Sequence, residues 1–192
     1  GAELARMCVD YARSVHLRFH EELALTDADR HELMRQPLAY TQTNGTIQLR
    51  GLIASMYPGA GAGHVEVTNG GSEANCITLM HLVQPGDEVV LMTPNYMQAP
   101  GLLKALGASI VPWPLRSDGG RWAPDLAALG SLVTPRTKAI FICNPNNPTG
   151  SRLTAAELDA IGAVASVAGS WVIADEIYRG AELDAVETPT MW

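Results

Sequence analysis

The chain has 192 residues, of which 47% are hydrophobic and 17% are charged, so it can bury a substantial core and is not expected to be disordered. Its net charge of −7, with 13 scattered basic residues against 20 acidic ones, argues against nucleic acid or an anionic membrane as the main partner. The cysteines, Cys8, Cys76 and Cys143, lack the spacing of a disulfide framework or a zinc site, which predicts reduced thiols in a cytoplasmic protein. The most apolar stretch, Ile161 to Ala174, is too short to cross a bilayer.

The N-terminal part of the chain has a different character from the rest. Its pattern predicts helix as far as Gln36, and residues 1–39 are expected to form an N-terminal helical segment ahead of a large domain at 40–192. A polar loop is predicted at Pro37–Gly45. The apolar spacing of Thr46–Met56 then indicates an amphipathic helix.

Beyond this helix, strand and helix patterns alternate. Strands are predicted at Val65–Thr68, Glu88–Met92, Ala108–Pro112, Lys138–Cys143 and Trp171–Ala174. Helices are predicted at Ser72–Val83, Met97–Leu106, Pro124–Leu129 and Thr154–Ala168. Pro124 is placed at an early helical position, and Thr154 with Glu157 matches a capping box. The alternation predicts an α/β fold of three layers, a mostly parallel sheet with helices on both faces.

Polar loops follow several of the predicted strands. They are Asn69–Glu73, Pro94–Gln98 and Asn144–Gly150, and a fourth strand ends at Asp175. Parallel sheets bind ligands outside the carboxyl ends of their strands. We therefore expect these segments to converge on one ligand.

The glycine turn in TNGGSEAN, Thr68–Asn75, has two interpretations. Glycines allow close backbone approach, and the first amides of a helix are unpaired and carry positive partial charge, which suits a phosphate. A plain turn capped by Ser72, without a ligand, explains the same residues and is the commoner case for such a turn alone.

Four further side chains are candidates for contacts with an aromatic ligand. The Asn147 amide can donate to a phenolate-like oxygen, or bond only to its own turn. Asp175 ends an apolar run, where a carboxylate needs a partner: a helix terminus, a basic residue or a protonated heterocycle nitrogen. Tyr96 can stack on a flat ring or be an ordinary half-buried tyrosine, and Tyr178 can reach the same edge or be a core tyrosine.

The combination of these motifs resembles the fold type I pyridoxal-phosphate enzymes, and class I/II aminotransferases in particular. The resemblance rests on GGSEAN, PNYMQ, NPNNPTG and DEIY, in that order, and covers roughly Tyr40 to Tyr178. It implies pyridoxal 5'-phosphate as cofactor, an amino acid and a 2-oxo acid as substrates, and a homodimer with a two-fold axis.

At the phosphate end, the resemblance implies that Ser72 and Glu73 offer backbone amides to the cofactor phosphate while Gly71 shapes the turn. Tyr40 resembles the tyrosine that reaches the phosphate bound by the neighbouring subunit. This contact would tie cofactor binding to the dimer.

At the ring end, the resemblance implies that Tyr96 stacks on the pyridine and that Asn147 and Tyr178 hydrogen-bond its phenolic oxygen. Asp175 would pair with the pyridine nitrogen and favour its protonated form, which keeps the ring electron-withdrawing.

The Schiff-base lysine of such enzymes has no counterpart in the sequence. Lys104 lies in a helix pattern and Lys138 starts a strand at the end opposite the ligand edge, so the lysine and the small domain are expected beyond Trp192. We therefore expect no catalytic residue within the chain, which would be catalytically incomplete by itself. Two alternatives stay open: another reaction on the same fold, such as that of a cyclase, lyase or decarboxylase, or a non-catalytic fragment.

Overall fold

The computed structural model describes residues 26–35, 40, 42–117 and 119–192. Contacts divide the chain into two units, Gly1–Thr41 and Gln42–Trp192, and the predicted helical stretch before Thr26 lies outside the described residues. In the first unit, helix α1 (Asp27–Arg35) begins where the Thr26 hydroxyl accepts the Asp29 amide at 3.2 Å and the Asp29 carboxylate accepts the Thr26 amide at 2.8 Å.

The second unit begins with a helix and then alternates between helices and strands. Helix α2 (Ile47–Ala54) is capped by the Thr46 hydroxyl, and a short 3-10 helix follows at Ala62–His64. The remaining elements are α3 (Gly71–Leu82), β1 (Glu88–Thr93), α4 (Gln98–Ala105), β2 (Ser109–Ser117), β3 (Trp122–Pro124), α5 (Leu126–Leu132), β4 (Thr137–Cys143), α6 (Ala155–Ala168) and β5 (Trp171–Asp175). No helix in the described part of the chain is both long and apolar enough to cross a membrane.

The strands form one sheet in the order β3-β2-β1-β4-β5. Strands β2, β1, β4 and β5 run parallel, and β3 pairs antiparallel with the end of β2. The chain passes from β1 to β2 on one side and later places β4 on the other side of β1. The direction of winding therefore reverses between β1 and β4, which is where sheets of this kind form a crevice at the carboxyl ends of their strands.

Hydrophobic side chains fill the space on both faces of the sheet, because successive residues of a strand point to opposite faces. One face carries Val90, Met92, Ile140 and Ile142 with residues of α5 and α6 that include Leu129, Leu158 and Ile161. The other carries Val89, Leu91, Ala139 and Phe141 with residues of α3 and α4 that include Leu79, Ala99 and Leu103. The predicted three-layer, mostly parallel fold is therefore confirmed.

One predicted strand is wrong. Among the described residues Val65–Thr68 pairs with no strand, although its backbone is extended at Val65. The Val67 amide donates to the Asn44 carbonyl at 3.1 Å, and a Cβ on Gly45 would lie 2.4 Å from the Val67 side chain. Val67 thus packs against the preceding turn at Asn44 and Gly45, and the segment does not join the sheet.

The termini of two helices test the capping predictions. The predicted position of Pro124 is wrong: it ends β3, and Asp125 is the N-cap of α5, where its carboxylate accepts the Ala128 amide at 2.9 Å. An N-cap carboxylate satisfies an otherwise unpaired amide, which a proline there could not do. The capping box of Thr154 and Glu157 at the start of α6 is confirmed.

Candidate functional site

A cavity of about 390 Å³ lies at the carboxyl ends of β1, β4 and β5, at the reversal of winding. Six of the eight residues predicted to bind the cofactor line it: Gly71, Ser72, Tyr96, Asn147, Asp175 and Tyr178. A second cleft of about 530 Å³ adjoins the cavity and shares Asn147 and Tyr178 with it. The predicted carboxyl edge of the sheet therefore holds residues that lie more than a hundred positions apart in the sequence, such as Gly71 and Tyr178.

The N-terminus of α3 forms one end of the cavity. Gly70, its N-cap residue, has a φ of 87° and provides no side-chain cap, so the first amides of α3 lack an internal acceptor. A Cβ on Gly71 would lie 3.3 Å from the Ile177 side chain, which explains why the smallest residue stands where the turn meets the exit of β5. Unpaired amides at the positive end of a helix dipole suit a phosphate.

Glu73 does not line this cavity with its side chain. Its carboxylate turns back and accepts the Asn69 amide at 2.5 Å, and the Thr68 hydroxyl donates to the Gly70 carbonyl at 2.9 Å. The carboxylate thus stabilises the turn. The predicted contact of the Glu73 backbone amide with a phosphate stays a prediction.

Asp175, the last residue of β5, also lines the cavity. Its Oδ2 accepts the Asn75 amide nitrogen at 2.8 Å, and its Oδ1 accepts the backbone amide of Ile177 at 3.1 Å. The backbone carbonyl of Asp175 accepts the amide of Asn144, which joins β5 to the loop after β4. The carboxylate is therefore held in orientation by protein donors while it faces the cavity.

Sequence reasoning missed two polar residues of this cavity, Asn75 and Gln98. The Asn75 Nδ2 lies 3.4 Å from the Gln98 Oε1, and the Gln98 Nε2 donates to the Ser72 carbonyl at 2.7 Å. Asn75 follows Ser72 by three positions on a helix and so shares its face. That spacing was a usable signal, whereas nothing local to Gln98 indicates its partners.

The loop Asn144–Gly150 uses its asparagines for different purposes. Asn144 is fully buried; its Oδ1 accepts the Leu153 amide at 2.9 Å and its Nδ2 donates to the Pro189 carbonyl at 3.2 Å. Asn146 is buried as well, and its Nδ2 donates to the Pro94 carbonyl at 3.1 Å. Both side chains are thus occupied in fixing the loop.

Asn147 is the asparagine of this loop that lines the cavity. Its Nδ2 lies 3.4 Å from the Tyr178 hydroxyl, so the two predicted partners of a phenolic oxygen stand side by side. Tyr96 lies at the end of β1 with about half of its side chain exposed and its backbone amide bonded to the Asn95 side chain at 2.7 Å. Tyr96 lines the cavity, and stacking of its ring on a ligand stays a prediction.

Cys143 lines the cavity and is buried. Burial raises the pKa of its thiol to about 11; a hydrogen bond from the Asn147 backbone opposes this rise, and the nearby Asp175 charge adds to it. The sulfur donates to the Pro145 carbonyl at 3.3 Å. An un-ionised, buried thiol packs and does not act as a nucleophile.

The remaining predicted residues lie elsewhere. Tyr40 is fully exposed in the N-terminal unit, and its contact with a phosphate stays a prediction. Lys104 lies in α4 and Lys138 in β4, and neither of them lines the cavity.

Comparisons with known proteins agree with this geometry. The aminotransferase class I and II family matches residues 18–190. The probable N-succinyldiaminopimelate aminotransferase DapC of Mycobacterium tuberculosis is 44% identical over 115 residues, which are 60% of this chain and 29% of that protein. Capreomycidine synthase of Streptomyces vinaceus is 44% identical over 108 residues, which are 56% of this chain and 27% of that protein.

A solved structure of a PLP-dependent aminotransferase from Streptococcus suis superposes with a TM-score of 0.82 at 30% identity, over 91% of this chain and 46% of that one. The chain thus spans less than half the length of these relatives. The family uses pyridoxal phosphate and acts on amino acids and 2-oxo acids. Because the family covers most of the sequence and its fold is present, the chain belongs to the class I and II aminotransferases, within the fold type I pyridoxal-phosphate enzymes.

Proposed function

We propose that this chain supplies the cofactor-binding part of a pyridoxal-phosphate-dependent aminotransferase, which transfers an amino group between an amino acid and a 2-oxo acid. One observation carries the proposal: the N-terminus of α3 and Asp175 line the same cavity. Pyridoxal phosphate carries a phosphate at one end and a basic ring nitrogen at the other. The two ends of the cavity complement these groups in charge and hydrogen bonding.

Each residue of the cavity then has a distinct task. The backbone amides of Ser72 and its neighbours bind the phosphate, and the Tyr96 ring stacks on the pyridine. Asn147 and Tyr178 donate to the phenolic oxygen. The Asp175 carboxylate holds a proton on the ring nitrogen. When bound, the cofactor supplies an electron sink for the bonds at the Cα of an amino acid.

The complete reaction also needs a lysine beside the cofactor, which bonds to it and moves protons. Neither Lys104 nor Lys138 lines the cavity, so we infer that this lysine comes from outside the 192 residues. A different reaction at the same residues is the second candidate, which the 44% identity to a capreomycidine synthase supports. Product analysis of the complete protein with amino acids and 2-oxo acids separates the two, since only an aminotransferase yields a new amino acid from the 2-oxo acid.

We also infer a cytoplasmic homodimer in which Tyr40 reaches the phosphate bound by the other subunit. Tyr40 is fully exposed in the structure of the single chain, which leaves its hydroxyl accessible to a second copy. In the complete protein, Tyr40→Phe should weaken cofactor retention during dialysis. Unchanged retention, or a monomer by sedimentation, argues against the inference.

Titration of the chain with pyridoxal phosphate, followed by absorbance and by quenching of intrinsic fluorescence, tests the cofactor site directly. Asp175→Asn is expected to lower the affinity about tenfold or more, because a hydrogen bond to a charged group contributes about 1.5–3 kcal/mol. Asp159→Asn is the matched control, since it removes the same charge from an exposed position on α6, outside the cavity. A folded wild-type chain that does not bind the cofactor, or an Asp175→Asn variant that binds as tightly as wild type, refutes the proposal.

A further inference from the structure

We propose that Asn75 and Gln98 are positioning residues, which fix the Asp175 carboxylate in the orientation that selects a protonated ring nitrogen. The inference rests on the proposed function, because it concerns how the same cavity recognises its ligand. It assigns a role to Asn75 and Gln98, the last residues of GGSEAN and PNYMQ, for which the resemblance implies none.

The two side chains connect the ends of the cavity. The Gln98 Nε2 donates to the Ser72 carbonyl at 2.7 Å, and the Gln98 Oε1 lies 3.4 Å from the Asn75 Nδ2. The same Asn75 nitrogen donates to the Asp175 Oδ2 at 2.8 Å. Helices α3 and α4 and strand β5 are thus joined by a single line of hydrogen bonds.

The groups at the two ends of this hydrogen-bond chain determine how the Gln98 and Asn75 amides are oriented. The Ser72 carbonyl can only accept, so Gln98 must present its nitrogen there and its oxygen to Asn75. Asn75 must then present its nitrogen, which is also what the Asp175 carboxylate requires. A flipped Asn75 would place its oxygen against the carboxylate, where two acceptors repel, so only one arrangement satisfies every group.

The contacts with Asn75 and Ile177 orient the Asp175 carboxylate but leave it able to accept further hydrogen bonds. Asn75 donates to one oxygen and the Ile177 amide to the other, whereas an ionised carboxylate has about four lone-pair positions. Each oxygen can therefore accept once more, from a ligand in the cavity. Without Asn75, the carboxylate is held by one donor and can rotate away from the direction in which a ring N–H would approach.

The test compares two ligands in one protein. Pyridoxamine phosphate has the ring nitrogen, and its 1-deaza analogue has a C–H group in that place but keeps the phosphate and the phenol. The ratio of their dissociation constants for the full chain isolates recognition of the nitrogen. We expect wild type to prefer the pyridine, and Asn75→Leu to reduce the preference about tenfold while the affinity for the deaza analogue stays the same.

Gln98→Leu should reduce the preference less, because its contact with Asn75 is longer. Thr78→Val is the matched control, one turn further along α3 and outside the cavity, and should leave the ratio unchanged. Thermal unfolding verifies that each variant is folded, and Asn75→Ala replaces Asn75→Leu should the leucine prevent folding.

The outcomes separate this inference from the proposed function. A wild-type chain that binds neither ligand, or does not distinguish them, refutes the assignment of Asp175 itself. A wild-type preference that Asn75→Leu retains in full leaves the proposed function standing and overturns the positioning role. Equal weakening of both ligands in Asn75→Leu also overturns it, because it shows a general effect on the cavity.

Discussion

Replacing Asn144 with alanine tests whether the asparagines of the Asn144–Gly150 loop have different roles. Asn144 is buried and stabilises the loop, whereas Asn147 lines the cavity. The Asn144 side chain is buried and satisfies two backbone groups, the Leu153 amide at 2.9 Å and the Pro189 carbonyl at 3.2 Å. Alanine leaves both without that partner. An unsatisfied buried amide costs about 2 kcal/mol, and the partly buried carbonyl about 1 kcal/mol, so the variant should lose about 3 kcal/mol of unfolding free energy.

Urea unfolding of the chain measures this loss. With a slope of about 2 kcal/mol per molar urea, the midpoint should fall by about 1.5 M. Asn147→Ala is the matched control, because the Asn147 amide has a single 3.4 Å contact with the Tyr178 hydroxyl and should cost less than about 1 kcal/mol. Equal losses in the two variants, or no loss in Asn144→Ala, would refute the division of roles within the loop.

Two further predictions concern titratable groups. Cys143 should react with iodoacetamide far more slowly than the partly exposed Cys76, because burial covers its thiol and raises its pKa to about 11; comparable labelling of both peptides by mass spectrometry contradicts this. Burial raises the pKa of Glu157, but hydrogen bonds from Thr154 and Arg121 outweigh it and hold that pKa below its ordinary value. Its stabilisation is therefore present above the unfolded-state pKa and lost as pH falls through the folded-state pKa. Arg121→Gln should raise the midpoint pH of acid unfolding, and an unchanged midpoint counts against the contact.

Between β1 and β5, the sequence predicts helices and strands well wherever the signal for them is local. The buried runs of β1 and β4 and the capping box before α6 are encoded within a few residues of where they act. Strand β3 could not be predicted in this way, since its three residues are a strand only because they pair with Leu115–Ser117. Val65–Thr68 shows the converse: its alternation is typical of a strand, but no strand in the described part of the chain pairs with it.

The sequence predicted the polar residues of the cavity better than their contacts. Topology brings the carboxyl ends of parallel strands to one edge, so Tyr96, Asn147 and Asp175 meet whatever the details of packing. The burial of Asn144 and Asn146 leaves Asn147 to line the cavity. The pattern NPNNPTG by itself does not show which of its asparagines are buried. The contact of Asn75 with Asp175 spans a hundred positions and depends on how α3 lies on the sheet.

The two ends of the cavity therefore differ in whether backbone or side-chain groups form them. The end proposed to bind phosphate consists of backbone amides at the start of α3. Most side-chain changes there should be tolerated as long as Gly70 keeps its positive φ and Gly71 its close approach to Ile177. The Asp175 end depends in addition on the side chain of Asn75, a donor from α3 that a single substitution can remove. The selectivity for the ring nitrogen that we propose therefore depends on tertiary contacts. In that proposal the residue at position 75 controls it even when the glycine turn and the DEIY motif are unchanged.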